Sequence, residues 1–134
     1  SDISERLSTY NKLDNIKNEE ELQKCVKSLH DRFGPLPDEL KNLIESVRLR
    51  WLAIDLGFDK LLLKNGSMKA YISNQKEEYF QSAVFGDILR FIQSHPRSSR
   101  IKEIKNRLII TIDDLSTVRA GKQVLEEMYS VVAE

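Results

Sequence analysis

Residues 31–37 read DRFGPLP, and this stretch decides the fold because it ends one helix and begins the next. Gly34 is the residue type that best tolerates the left-handed conformation of a helix C-terminus, and Pro35 cannot continue a helix. Pro37 suits the first turn of a new helix, where its missing N–H is no loss. The acidic residues 38–39 favour the positive end of that helix. The stretch therefore predicts a stiff corner between two helices.

Two amphipathic helices are predicted before the corner. The first, over residues 3–16, has apolar residues at spacings of three and four, namely Ile3, Leu7, Tyr10, Leu13 and Ile16. Asn18 precedes Glu21 by three residues, which is the spacing of a capping box at the start of the second helix. The apolar stripe of that helix consists of Leu22, Val26, Leu29 and Phe33. We therefore expect Phe33 to point inward at the end of the second helix.

A third helix is predicted from about Pro37 to Leu56, with Gly57 as its stop. One face carries Leu40, Leu43, Ile44, Val47, Trp51 and Ile54. A second apolar side appears late in the helix, at Leu49, Leu52 and Leu56. A helix that is apolar on two sides is covered on two sides. We therefore expect its second half to be central to the core, between the first two helices and a sheet.

Two hairpins are predicted in the second half of the chain. Asn65 and Gly66 lie between two strand-like runs and favour a tight turn, because both central residues must adopt positive φ. The run after this turn should direct alternate residues to one face, namely Met68, Ala70 and Ile72. The second hairpin is predicted from residues 100–105 and 107–112.

The remaining segments complete the predicted architecture. Residues 74–81 are predicted to form an irregular connection and residues 82–94 a helix. Ser116 is predicted to cap a last helix with the inner stripe Val118, Gly121, Leu125, Met128 and Val132. The order of elements predicts an α+β fold with residues 1–134 as a single domain. In it a helical N-terminal half of three helices packs on a small antiparallel sheet of two hairpins with two further helices.

Composition limits the classes of function. Lysine plus arginine equals aspartate plus glutamate at 21 each, which argues against a dedicated nucleic-acid-binding protein. A single cysteine excludes an internal disulfide and fits a reducing compartment. No signal peptide or long apolar run is present in the sequence, so we expect a cytoplasmic protein without a membrane partner.

Candidate catalytic groups are sparse. His30 and His95 stand alone, no metal-ligand spacing occurs, and the five glycines are isolated. The sequence therefore predicts no catalytic residue, no metal site and no cofactor in this chain. An enzyme is the least favoured function and would need a pocket that converges on Asp113 and Asp114 or on His30.

Residues 97–107 are the one segment with a strong charge bias. Arg97, Arg100 and Lys102 are the candidate basic patch, and Lys105 and Arg107 add to the positive charge. On a strand, Arg100 and Lys102 share a face and would contact phosphate or an acidic partner. The alternative is a solvated outer sheet face, because edge lysines also discourage aggregation. A nucleic-acid-contacting module is therefore the second functional hypothesis.

The corner also carries a resemblance. Residues 31–37 are similar to the DRFGPLP signature of the C-terminal domain of bacterial transcription-repair coupling factors. Residues 6–13 resemble the family's opening pattern RLxxYxKL, and residues 42–60 resemble its third helix and exit. The resemblance covers residues 5–63 and is most specific at the corner. Over residues 74–134 only the order of strands and helices agrees.

This resemblance implies a function that composition does not show. The family is a multidomain, ATP-driven DNA translocase that removes stalled RNA polymerase and recruits nucleotide excision repair. ATP and magnesium belong to the motor of the parent protein, so the fragment itself is expected to be non-catalytic and free of cofactors. The C-terminal domain is expected to dock on the N-terminal UvrB-like module of the same protein. Docking would mask the surface that recruits UvrA and restrain the motor.

The resemblance also suggests interface residues. Asp31 is the first candidate for the intramolecular contact, and Arg32 and Glu39 are weaker candidates. The family often has an acidic residue one turn earlier, where this chain has Ser28. The other members of the signature, namely Phe33, Gly34, Pro35 and Pro37, are better explained as determinants of the fold.

Overall fold

The structure is a computed structural model that describes the backbone of residues 2–133 and the side chains of residues 8–129. The proposed stripe positions Ile3, Leu7 and Val132 lie outside the described side chains. By their contacts the residues form two compact units, residues 1–48 and residues 49–134. Each unit is described by itself below.

The first unit consists of helices α1 (Asp2–Asp14) and α2 (Glu19–Phe33) and the first part of α3 (Asp38–Leu56). Its buried apolar side chains come from all three helices and include Leu13, Leu22, Leu29, Ile44 and Val47. Asn18 caps α2 by accepting a hydrogen bond from the Glu21 N–H at 2.9 Å. The Glu21 carboxylate in turn accepts from the Lys17 N–H at 3.2 Å. The predicted cap is confirmed, with the return bond going to the residue before Asn18.

Gly34 at the corner has the positive φ that the sequence predicts, but its ψ of −155° differs from that of the left-handed helical conformation. Gly34 adopts φ +78°, and its N–H donates to the carbonyl oxygen of His30 at 2.8 Å. The Pro37 carbonyl accepts from the N–H groups of Leu40 and Lys41, at 3.0 and 3.1 Å, so α3 begins directly after this proline. Gly34 and Pro37 therefore act as the predicted stop and start.

An ion-pair network links the start of α2 to α3. The Arg48 guanidinium donates to both carboxylate oxygens of Glu19 at 2.9 and 2.8 Å and to Glu45 at 2.9 Å. The hydrogen bond to Glu19 is the main reason that the pKa of Arg48 is raised. A bidentate contact of this kind is directional as well as electrostatic, because two donors of the planar fork bind one carboxylate.

Replacing Arg48 by methionine should lower the free energy of unfolding by about 1–2 kcal/mol, because two carboxylates lose a hydrogen-bonded partner. Chemical denaturation measures the change. The matched control is Lys24→Met, which removes an exposed pair with Glu20 at 3.7 Å and should cost less than about 0.5 kcal/mol. Equal effects of the two substitutions would show that the bidentate geometry contributes nothing.

The second unit is built on one four-stranded antiparallel sheet. Strands β1 (Lys60–Lys64), β2 (Ser67–Ile72), β3 (Ser99–Ile104) and β4 (Arg107–Ile112) lie in the order β1-β2-β4-β3. Asn65 and Gly66 have φ values of 54° and 75°, so the first hairpin turn is confirmed. The second hairpin turns through Lys105 and Asn106, which also have positive φ. Pairing of β2 with β4 joins the two hairpins, and the α+β fold is confirmed.

Three further helices belong to this unit, namely α4 (Glu77–Phe80), α5 (Ala83–Ser94) and α6 (Val118–Ala133). One face of the sheet packs with α5, α6 and the second part of α3 in a single apolar cluster. Its fully buried members include Leu56, Met68, Ile88, Ile110 and Leu125. The prediction that Met68, Ala70 and Ile72 share a buried face is confirmed.

Three local predictions were wrong. Ile54 is 64% exposed although it shares a helix face with the buried Val47, because periodicity indicates the side of a helix and not what covers it. Residues 74–81 contain the one-turn helix α4, which is too short to leave a periodic pattern. The cap of α6 is Thr117, whose hydroxyl accepts from the Ala120 N–H at 3.0 Å, and not Ser116. Two adjacent hydroxyl residues fit the sequence pattern of a helix cap equally well, so only the tertiary structure determines which of them is the cap.

Candidate interaction site at the helix corner

Phe33 is the feature of the corner that differs most from the prediction. Its side chain is 51% exposed instead of pointing inward. Phe33 is the last residue of α2, and the chain departs at Gly34, so helical periodicity continues to this position without a neighbour that covers it. The Arg32 guanidinium lies over the ring, with its carbon 5.0 Å from the ring centroid. The corner thus presents an aromatic ring and a cation to solvent as one group.

A groove of about 250 Å³ lies between α1 and α2 next to this group. Helix α1 contributes Ser8, Thr9 and Lys12 to its lining. Helix α2 contributes the rest, namely Cys25, Ser28, Leu29, Arg32 and Phe33. We call the space with these eight residues the corner groove. Its lining has three hydroxyl groups and two cationic side chains and no carboxylate, so its chemistry suits an acidic or hydrogen-bonding group of a partner.

The structure separates the residues that the sequence suggested as an interface. Arg32 and Phe33 line the corner groove, and Ser28 lines it one turn earlier. Asp31 and Glu39 are exposed but do not belong to its lining. The contribution of Asp31 to an interface stays a prediction, and the geometry favours Arg32 and Phe33 over it.

Sequence reasoning missed the contribution of α1 to the corner groove. The interface residues that the sequence predicts include none of Ser8, Thr9 and Lys12. Ser8 and Lys12 are four residues apart and therefore share a helix face, which is a signal that the sequence contains. The missing information was which exposed face of α1 lies beside α2.

The basic segment divides into residues with different environments. Arg97 is exposed before β3, and Lys102 is exposed on β3. Arg100 donates to the Asp113 carboxylate at 2.7 Å, and the Ser67 hydroxyl donates to the same carboxylate at 2.8 Å. These two hydrogen bonds, with that from Arg100 the larger cause, hold the pKa of Asp113 below its ordinary value. Asp113 is therefore engaged in a structural contact between strand ends.

Other kinds of site find little support in the part of the chain that the structure describes. His30 is an exposed residue of α2 in the first unit, whereas Asp113 belongs to the second unit. No group of three histidine, cysteine, aspartate or glutamate side chains among the described residues could hold a metal ion. No described helix is long and apolar enough to cross a membrane.

Comparisons with known proteins agree on one family. The family model described as TRCF domain matches residues 1–83. A transcription-repair-coupling factor of Borreliella burgdorferi is 33% identical over 92 residues, which is 69% of this chain and 8% of that protein. The Escherichia coli protein of the same name is 43% identical over 60 residues, which is 45% of this chain and 5% of that protein.

The similarity in fold extends over nearly the whole chain. The crystal structure of the C-terminal domain of a transcription-repair coupling factor superimposes with a TM-score of 0.70 and 15% identity. The match covers 96% of this chain and 81% of that one. At this identity the match concerns the fold alone. The chain spans less than a tenth of the length of the curated relatives named above.

Proposed function

Because the chain belongs to the TRCF domain family, we propose that it is a non-catalytic interaction domain of a transcription-repair coupling factor. In the parent protein it docks on the N-terminal UvrB-like module through the corner groove. The docked state masks the surface that recruits UvrA and restrains an ATP-driven DNA translocase. Release of the domain makes the parent protein competent to displace stalled RNA polymerase and to recruit nucleotide excision repair.

The observation that carries this proposal is the exposure of Phe33 beneath Arg32. An aromatic ring that is 51% exposed forgoes much of the free energy that burial of its apolar surface would provide. Aromatic and arginine side chains are the residue types that most often dominate the binding energy of protein interfaces. A partner that covers Phe33 would recover the apolar contact and would leave the Arg32 guanidinium available for a carboxylate.

The chemistry of the corner groove defines the expected partner surface. Lys12 and Arg32 supply positive charge from two different helices, and Phe33 supplies the apolar contact. The partner should therefore present an acidic side chain beside an exposed apolar one. Charged contacts of this kind suit a reversible switch, because they guide association and can be broken without exposing a large apolar area.

The energetic demand on such a switch is modest. Docking within one protein takes place at a high effective concentration, so a weak intrinsic affinity is sufficient. A coupling of about 1–3 kcal/mol between docking and a second site is typical of allosteric proteins. A few side-chain contacts at the corner groove are sufficient to supply a coupling free energy in this range.

Binding of the isolated chain to the N-terminal UvrB-like module of its parent tests the proposal. Isothermal titration calorimetry should show that Phe33→Ala weakens this binding by about 10- to 100-fold, as expected for an interface hot spot. Arg32→Glu should weaken it at least as much, because it reverses a charge in the groove. Asp31→Ala should change it less than either.

The matched control is Leu62→Ala, since Leu62 is another exposed large apolar residue, at 43%, and lies on β1. It should leave the affinity unchanged. Loss of affinity in Leu62→Ala with normal affinity in Phe33→Ala would place docking on a different surface. If no binding occurs and the chain does not compete with UvrA, the masking role fails, unless Phe33→Ala raises the ATPase rate of the intact parent protein.

A further inference from the structure

The outer face of the four-stranded sheet concentrates positive charge that the overall composition conceals. Cross-strand pairing places Lys60, Tyr71, Ile109 and Lys102 in one row across all four strands, and Leu62, Lys69, Thr111 and Arg100 in the next. Lys64 at the end of β1 and the pair Arg107 and Ile104 extend this face. We call these eleven residues the outer sheet face. The opposite face bears the buried apolar cluster.

Six of these eleven residues are cationic, although the chain has no formal net charge. They are Lys60, Lys64, Lys69, Arg100, Lys102 and Arg107. Every strand carries at least one of them, so an extended polyanion that crosses the sheet would meet a cation on each strand. Asp113 beside the face neutralises Arg100, and the outer sheet face itself includes no acidic residue.

An aromatic ring lies among these cations. The Arg107 guanidinium carbon is 4.6 Å from the centroid of the Tyr71 ring, and the Lys60 ammonium nitrogen is 5.3 Å from it. Tyr71 is on β2 and Arg107 is on β4, so only the pairing of these strands brings them together. Tyrosine rings and arginine planes are both surfaces on which unpaired nucleobases stack.

We propose that the outer sheet face binds single-stranded nucleic acid. The Tyr71–Arg107 pair stacks a base, and Lys60, Lys69 and Lys102 contact phosphates on either side. Exposed apolar side chains at two edges of the face, Leu62 and Ile104, extend the platform on which bases rest. A stacked aromatic–guanidinium pair on the two central strands of a cationic sheet favours a nucleobase over an acidic peptide, which offers no comparable planar group.

This binding is separate from the docking proposed for the corner groove. It uses residues of the second unit only, whereas the corner groove lies in the first unit. Variants in one surface therefore leave the chemistry of the other unchanged. Results that contradict one proposal are therefore not evidence against the other.

Fluorescence anisotropy with a fluorescein-labelled oligothymidylate of about 15 nucleotides, close to the upper site size of small single-strand binders, tests the proposal. At about 50 mM salt the chain should bind, and a plot of log affinity against log salt should have a slope of about −2 to −3.5. That slope corresponds to three to five neutralised phosphates at about −0.7 each.

Two pairs of variants separate stacking from charge. Tyr71→Thr keeps a residue suited to a strand but removes the ring, and it should weaken binding about 5- to 100-fold. Tyr71→Phe should retain binding. Lys102→Glu should weaken binding at least about tenfold and reduce the salt slope. Lys41→Glu makes the same change of charge at an exposed position of α3. The affinity of this variant for the oligonucleotide should stay within about twofold of that of the unsubstituted chain.

Several results would overturn the proposal. No anisotropy change at low salt would show that the outer sheet face is only a solvated surface. Equal affinity for a duplex of the same length would remove the role of unpaired bases. Competition by polyglutamate together with an unchanged affinity in Tyr71→Thr would indicate an acidic protein partner and not nucleic acid. Equal losses in Lys41→Glu and Lys102→Glu would show that net charge, and not this face, controls binding.

Discussion

Replacing Gly57 by alanine should lower the free energy of unfolding by about 2–5 kcal/mol, the sum expected from backbone strain and overpacking. Gly57 ends α3 with φ +92°, a conformation that residues with a Cβ atom rarely adopt. The N–H of the next residue, Phe58, donates back to the Ala53 carbonyl at 2.9 Å. This pattern is that of a Schellman helix end, which requires the left-handed residue.

A neighbouring side chain makes the substitution worse. A Cβ atom at Gly57 would lie 2.3 Å from Cε1 of the Tyr79 ring. Tyr79 cannot easily withdraw, because its hydroxyl donates to the Leu56 carbonyl at 2.6 Å. Burial raises the pKa of Tyr79 to about 12, which is consistent with a phenol that is held against the protein. The alanine variant must therefore move either the helix end or the tyrosine.

Two other glycines separate the two causes. Gly66→Ala meets the same positive φ, +75°, with no atom within 4 Å of the new Cβ, so it should cost only the strain, about 1–2 kcal/mol. Gly86→Ala, within α5, meets its nearest neighbour at 3.9 Å and should be neutral or stabilising by up to about 1 kcal/mol. Urea denaturation of the three variants gives the comparison. A Gly57→Ala variant no less stable than Gly66→Ala would mean that the Tyr79 contact is unimportant.

Replacing Ile110 by alanine should cost about 2–5 kcal/mol, the range for a large apolar side chain removed from a filled core. Ile110 is fully buried, with 0% of its surface exposed, in the apolar cluster of the second unit. It lies in β4, which is paired on both sides by β2 and β3. The truncated side chain therefore leaves a cavity that the backbone cannot easily close.

The adjacent residue supplies a control of the same type in the same strand. Ile109 points to the outer sheet face and is half-buried. Ile109→Ala makes the same chemical change with the same loss of strand propensity, and it should cost only about 1 kcal/mol. Thermal or chemical denaturation measures both. Equal costs would contradict the assignment of the two residues to opposite faces of the sheet.

Much of the architecture could be predicted from short stretches of sequence. Gly34 and Pro37 predicted the corner, and Asn65 and Gly66 predicted the first hairpin turn. Each of these signals acts through the backbone of the residues that carry it, by allowing positive φ or by fixing it. They therefore hold without knowledge of distant contacts. The Asn18 cap is also local, because its side chain accepts from the N–H of a residue only three positions further on.

The candidate sites could be predicted only in part. Arg32 was identified as a weaker candidate, but Phe33 was assigned to the interior because it continues the stripe of Leu22 and Leu29. Periodicity reports which side of a helix a residue occupies and not whether another element covers that position. The basic residues Arg100 and Lys102 were identified as a pair. Tyr71 was not connected with them, because it lies in a different hairpin.

The sequence by itself determined where this chain turns, which of its longer segments are helices and strands, and which family it belongs to. These features depend on backbone conformation and on the order of residues within a few turns of chain. Only the tertiary structure decided that Phe33 is exposed, that α1 supplies Lys12 to the corner groove, and that Tyr71 lies against Arg107. Each of these depends on contacts between segments that are far apart in sequence, and local propensity contains no information about such contacts.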